Sequence, residues 1–395
     1  MKIARIGSQK ILDSRGQPTL EVEVFTEGNL RARASVPAGK SIGQFEAAAL
    51  PVPDAMRAIE EKIMPVLEGR GFASLDAFDR VLIELDGTPD KSNLGANTLL
   101  ALSIAAARVF ASGEGMPLWK YLRLQGNFPS SAQPLRLYLN LINGGAHAVN
   151  ATDIQEYMVV VERREAREAL RIGIQIFEEI KRRSTSYRIG DEGGVVLPAT
   201  KNEAPLEILK EAISDIGGAR LALDVAGSWL VREGGYQWEG NIIDRVMLAD
   251  ALSVFASQYE LLSIEDPFGE NDAERFVMLA NTFKKERDTF LVGDDLTVTN
   301  PGRIQRAASE GMIGGVIIKP NQIGIVSEAL QAIRVAKENG LKTIVSHRSG
   351  ETMDDFIADF AWASGAFGLK AGAPGPEERL SKYERLIRIQ EEAGA

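Results

Sequence analysis

The chain has 395 residues, 45% of them hydrophobic, a formal charge of −10 and no cysteine. That length allows a barrel-sized domain plus a companion, and the apolar share supports a large core. The acidic balance argues against nucleic acid or an anionic membrane as the main partner, and the missing cysteines exclude disulfides and thiolate metal sites. The opening "MKIARIGSQKIL" lacks the apolar segment of a signal peptide, and no uninterrupted apolar run reaches membrane length, so a soluble, cytoplasmic protein is expected.

Residues 1–125 read as an α+β unit. "TLEVEVFTEG" alternates as a half-exposed strand, Gly28-Asn29 is a hairpin turn, and "LRARASVP" alternates again up to Pro37. Helical periodicity follows at 54–68 and 75–84, and "GANTLLALSIAAARVFAS" is an Ala-rich buried helix. The stretch 123–134 collects Gly, Pro and Ser as a linker would. From 135 to 395, short apolar runs are each followed by a helical stretch. Asn300-Pro301 caps one such helix and Gly340 stops another. Strand–helix repetition over roughly 250 residues predicts a (β/α)8-type barrel.

Six of these runs end in polar residues: Asp224, Glu265, Asp294, Lys319, His347 and Lys370. Any one alone would read as a helix cap or a surface charge. In a parallel barrel, however, all strand carboxyl ends share one face, so the six would converge there. Asp224, Glu265 and Asp294 are hard oxygen donors in a chain with two histidines and no cysteine, which suits Mg2+ better than Zn or Cu. Strand alternation points Asp294 inward and leaves neighbouring Asp295 in a supporting role. Positive charge around Lys319 and Lys370 is expected to lower their pKa and make a lysine base available. "YRIGDEGGVV" sets Asp191 and Glu192 between glycines, and "NGGAHAVNATDIQEYM" adds His147, Gln155 and Glu156. Glu192 and Glu156 together offer paired carboxylates for proton delivery to a leaving group.

The motifs "ILDSRGQPTLEVEV", "LDGTPDKSNLGAN", "NGGAHA", "QEYM", "GDEGG", "LALDVA", "SIEDP", "VGDDLTVTN", "NQIG", "SHRSGET" and "KYERLIRIQEE" occur in an order and over a span that resembles the enolases, the phosphopyruvate hydratases of glycolysis. The resemblance implies a modified (β/α)8 barrel over 135–395 capped by the smaller α+β domain at 1–125. It implies Mg2+-dependent interconversion of 2-phosphoglycerate and phosphoenolpyruvate by a homodimer or higher homo-oligomer. Carried over by position, Asp224, Glu265 and Asp294 hold the metal, and Ser41 in the first-domain lid serves a second Mg2+. Lys319 is the base, and Glu192 the acid with Glu156 beside it. His347, Arg348 and Ser349 hold the phosphoryl end, Lys370 the other anionic face, and His147 and Gln155 lie on a closing loop.

The chain departs from the family pattern around the lid and the Lys370 turn. Lys40 and Ile42 flank Ser41 where the family has a small residue and a threonine. Pro320 replaces a valine after the base lysine, and Ala371, Pro376 and Glu377 replace a threonine and an Arg-Ser pair. The chain is also shorter than usual between 160 and 190. Three readings follow: an enolase, a relative performing the same elimination on a phosphonate to give an enol such as carboxyphosphonoenolpyruvate, and a non-catalytic protein on the same scaffold. The last predicts loss of the acids and lysines, which are retained. The expected ligand is a small phosphorylated or phosphonate hydroxy acid.

Overall fold

The structure, a computed structural model, describes residues 1–394 except 41–42, 130–133, 149–150 and 287, with the side chains of 147, 285 and 286 also outside the description. The chain begins with an antiparallel sheet of Ile3–Leu12, Pro18–Thr26 and Arg31–Ser35. Asn29 makes the expected turn at φ 61°. Leu20, Val22 and Val24 alternate onto the buried face, against the helix Ala96–Gly113. That 18-residue helix is long and apolar enough on average to cross a membrane, although Asn97 and Arg108 interrupt its apolar run, and 78% of it is buried in the protein interior. Leu75–Asp86 forms the second expected helix, capped by the Ser74 side chain. The stretch read as a linker from 123 is still helical as far as Gly126, because Leu118–Gly126 presents Tyr121 and Leu122 to the core.

Eight strands then close a barrel: Arg136–Asn143, Glu156–Val161, Ala219–Asp224, Ser263–Glu265, Phe290–Gly293, Gly315–Ile318, Lys342–Ser346 and Gly368–Lys370. Closure comes from pairing of the last strand with the first, Lys370 opposite Tyr138. Neighbours pair in parallel except around the second strand, which runs antiparallel to the first and the third. The fold is therefore a modified (β/α)8 barrel with an initial hairpin. Tyr138, Met158, Val160, Ala222, Leu262, Val292, Ile317 and Ile344 fill the barrel interior. Tyr157, Val159 and Val161 on the opposite strand face join the larger apolar layer. The Asn300 side chain caps Pro301–Ser309 as expected, accepting from the amides of Gly302 and Arg303, and Gly340 follows Val326–Glu338 at φ 71°.

Candidate active site

The inward parity of the strands sets the site. Met158, Ala222, Val292 and Ile317 point into the barrel, and Glu156, Asp224, Asp294 and Lys319 each lie two residues nearer the mouth. The reversed second strand puts Glu156 at its amino end, level with Asp224, which is in turn level with Glu265. Lys370, ending the eighth strand, reaches across to all three. Its Nζ lies 2.8 Å from Glu156 Oε2, 3.2 Å from Asp224 Oδ2 and 2.8 Å from Glu265 Oε2.

Asp294 follows the fifth strand. It pairs with the Lys319 ammonium through Oδ2 and accepts from Gln322 Nε2 at 2.9 Å through Oδ1. Behind it, buried Asp266 accepts from the amides of Asp294 and Asp295 at 3.0 and 2.6 Å. Because the strand ends at Gly293, strict alternation stops there, and both Asp294 and Asp295 face the cavity, not Asp294 alone.

Glu192 sits on the tip of a short hairpin, Arg188–Ile189 with Val195–Val196. Glycine is needed there: a Cβ at Gly190 or Gly194 would lie 2.7 or 2.6 Å from Asn143 Oδ1 on the first strand. Glu192 Oε2 accepts from Asn140 Nδ2 at 2.7 Å and lies 3.3 Å from His347 Nε2. Arg348 forks onto Glu46 of the first domain at 2.8 and 3.1 Å and also donates to Asn321 Oδ1 at 3.0 Å. Ser349 Oγ accepts from the Lys40 amide at 2.7 Å, while Lys40 Nζ pairs with Asp191 at 2.7 Å.

These elements enclose a cavity of about 230 Å³ lined by Gln155, Glu156, Glu192, Asp224, Asp294, Lys319, His347, Arg348, Ser349 and Lys370. Glu265 lies just beneath, joined to it through Lys370. Ser41 falls outside the described residues, as does the His147 side chain, whose backbone belongs to the turn Gly145–His147. Sequence reasoning did not assign site roles to Asp266, Glu46, Asn140 or Arg379. Asp266 carried a readable signal, an acid directly after Glu265 in "SIEDP".

The electrostatics correct one expectation. Burial favours the neutral amine of Lys319, but the Asp294 carboxylate outweighs it and holds Lys319 above the ordinary lysine range. Lys370 is raised in the same way, burial being outweighed by Glu156, Glu265 and Asp224. Arg348 and Lys370 do lower Lys319, as expected, but Asp294 acts more strongly. Burial raises Glu156, and burial plus Asp224 raises Glu265. Burial also pushes Asp294 up, but Lys319 overrides it and the group ends below its usual range. Burial, then Asp294, lifts Asp295 to about 7.

Among the described residues no three acids or histidines stand grouped around a common metal position. Lys370 holds Asp224 and Glu265, and Lys319 holds Asp294. The donor chemistry nevertheless fits a hard cation: buried carboxylates raise one another's pKa across a small mouth, and every donor is oxygen.

A barrel with acids and lysines gathered at the carboxyl ends of its strands, closed by an α+β domain, has the architecture of a barrel enzyme. Residues 133–395 match the family described as enolase, C-terminal TIM barrel domain, and residues 3–122 match enolase, N-terminal domain. The chain belongs to the enolase family.

Proposed function

We propose that this protein catalyses the reversible, Mg2+-dependent dehydration of 2-phospho-D-glycerate to phosphoenolpyruvate. The observation that carries the reading is one cavity of about 230 Å³ lined by Lys319, Glu192, Arg348 and Ser349 together. That volume is below the roughly 300–1,000 Å³ of drug-sized pockets and suits a three-carbon acid. Lys319 takes the proton beside the substrate carboxylate, and that electron pair becomes the carbon–carbon double bond. The hydroxyl on the next carbon leaves as water with the proton of Glu192, and Glu156 stands beside it. Arg348, Ser349 and His347 hold the phosphoryl end, Lys370 supports the carboxylate face, and Gln155 with His147 closes the mouth. Mg2+ held by Asp224, Glu265 and Asp294, with Ser41 toward a second ion, would supply charge to stabilise the developing enediolate, the superfamily pattern of a lysine base with one or two Mg2+ that serves as a standard worked example. Asp294 is what keeps Lys319 protonated, so neutralising that carboxylate returns Lys319 toward the free amine.

A second reading, elimination on a phosphonate with an additional carboxylate, is favoured by one observation: Lys40 lines the cavity with 43% of its side chain exposed. A Mg2+-dependent ultraviolet assay for enol product decides between them. Turnover of 2-phosphoglycerate supports the first; turnover of the phosphonate alone supports the second and refutes the first. A cytoplasmic homodimer or higher homo-oligomer completes the proposal, and sedimentation equilibrium tests the assembly.

A further inference from the structure

Arg379 lies in the carboxyl-terminal helix Glu377–Ala393 and is fully buried. A buried charge normally has a counter-charge, yet no hydrogen bond or ion pair joins Arg379 to a carboxylate among the described residues. Its guanidinium donates to the carbonyls of Arg348 and Ser349 at 2.6 and 2.7 Å, to the carbonyl of Asp191 at 3.3 Å, and to His347 Nδ1 at 2.5 Å. One side chain thus ties together the turn at 347–349 and the loop that carries Glu192. The packing leaves little room for rearrangement. A Cβ at Gly372 would lie 2.9 Å from Arg379 Cδ, 3.0 Å from the Glu192 carbonyl and 3.1 Å from His347 Cε1.

The chemistry of the pair settles a protonation state. A guanidinium has only donors and keeps its proton. Nδ1 of His347 must therefore present its lone pair to Arg379. Burial pushes His347 down to about 4, against the pull of Glu192, so the ring is neutral at pH 7. A neutral ring with Nδ1 bare carries its proton on Nε2. That N–H lies 3.3 Å from Glu192 Oε2, the oxygen that also receives Asn140 Nδ2 at 2.7 Å.

We propose that Arg379 is a positioning residue: by donating to His347 Nδ1 it fixes the Nε2–H tautomer and holds that N–H on the side of the ring that faces Glu192. The proposal rests on the reading of Glu192 as the acid, but its first test is independent of activity. The chain has only two histidines, so 15N-histidine-labelled protein gives two ring systems in a long-range proton–nitrogen correlation spectrum, and His147→Asn assigns them.

The wild type should show His347 with its proton on Nε2 and neutral until the pH falls toward about 4. Arg379→Met should move that proton or let the ring protonate near its ordinary pKa. It should lower kcat by about 100-fold, with KM changed by less than roughly threefold. Arg379→Lys, which keeps a donor, should restore most of both. A wild-type His347 protonated on Nδ1, or charged at pH 7, overturns the proposal, as does Arg379→Met with unchanged tautomer and kcat. If Arg379→Met fails to fold, the wild-type spectrum and Arg379→Lys decide alone. An Nε2–H ring without turnover of 2-phosphoglycerate upholds the hydrogen-bond assignment and overturns only the activity.

Discussion

Replacing Asp266 tests the framework behind the acids most directly. Its two carboxylate oxygens receive the amides of Asp294 and Asp295 at 3.0 and 2.6 Å, and the side chain is buried. Asp266→Ala leaves both amides without an acceptor. Each such buried amide costs about 1–3 kcal/mol, so the pair costs about 2–6 kcal/mol. The backbone at 266 has φ 37°, a left-handed conformation that aspartate and asparagine tolerate better than alanine, adding about 1 kcal/mol. Asp266→Asn keeps one acceptor but turns an NH2 toward the other amide, for about 1–3 kcal/mol. Denaturant midpoints at constant slope should rank wild type, Asp266→Asn, Asp266→Ala in falling stability. Hydrogen exchange should show lost protection at the amides of 294 and 295 in the alanine variant. Equal stability of wild type and Asp266→Ala, within about 0.5 kcal/mol, would refute the reasoning.

Lys319→Ala should abolish proton exchange at the substrate's alpha carbon while calorimetry still registers Mg2+ binding; exchange at the wild-type rate removes Lys319 as the base. Glu265→Gln should weaken Mg2+ binding sharply, since it takes a charge from a buried acid cluster, and unchanged calorimetry takes Glu265 out of the ligand set. Unfolded chain takes up the histidine proton below its ordinary pKa of 6.5, whereas native His347 does so only near 4. Stability is therefore lost as pH falls through that window, by about 3 kcal/mol, and His347→Gln should lack this share of the slope in denaturation measured from pH 7 to 4. Lys40 and Asp191 are 43% and 33% exposed, so Lys40→Ala should change stability by no more than about 0.5 kcal/mol. A tenfold loss confined to a carboxylated phosphonate would instead give Lys40 a substrate role.

Six polar residues at the ends of apolar runs were enough to place most of the mouth, because a strand's parity and direction fix where its last side chain points. That logic failed where direction changed. Nothing in "RLYLNLIN" or "EYMVVV" says that the second strand runs backward, so Glu156 was legible as an acid but not as the neighbour of Asp224. The pKa of the lysines was misread for a related reason. Sequence lists the charges in a mouth, but the sign of a shift depends on which lies within about 4–6 Å, and Asp294 and Glu265 are in direct contact with the two ammonium groups. Arg379 and Glu46 were invisible because their roles come from contacts more than 30 residues apart, Arg379 with His347 and Glu46 with Arg348.

The initial hairpin has an architectural consequence. In a uniform barrel each pair of neighbouring strands is joined by a crossover that returns to the far rim, so consecutive strands deliver separate loops to the mouth. Here the first two strands are joined at the mouth itself, and the pairing of Asn143 with Glu156 closes the loop at its base. The backbone beneath is fixed by that rung and by the bonds of Gly144 to Gln155 and Gly145 to Thr152, so residues inserted or removed between 148 and 151 need not shift the register of any strand. One segment can then be recut to admit a longer or shorter ligand while the acids below keep their places. A change of substrate size would then need the fewest substitutions at the tip of this loop, provided Gln155 and His147 at its flanks are kept.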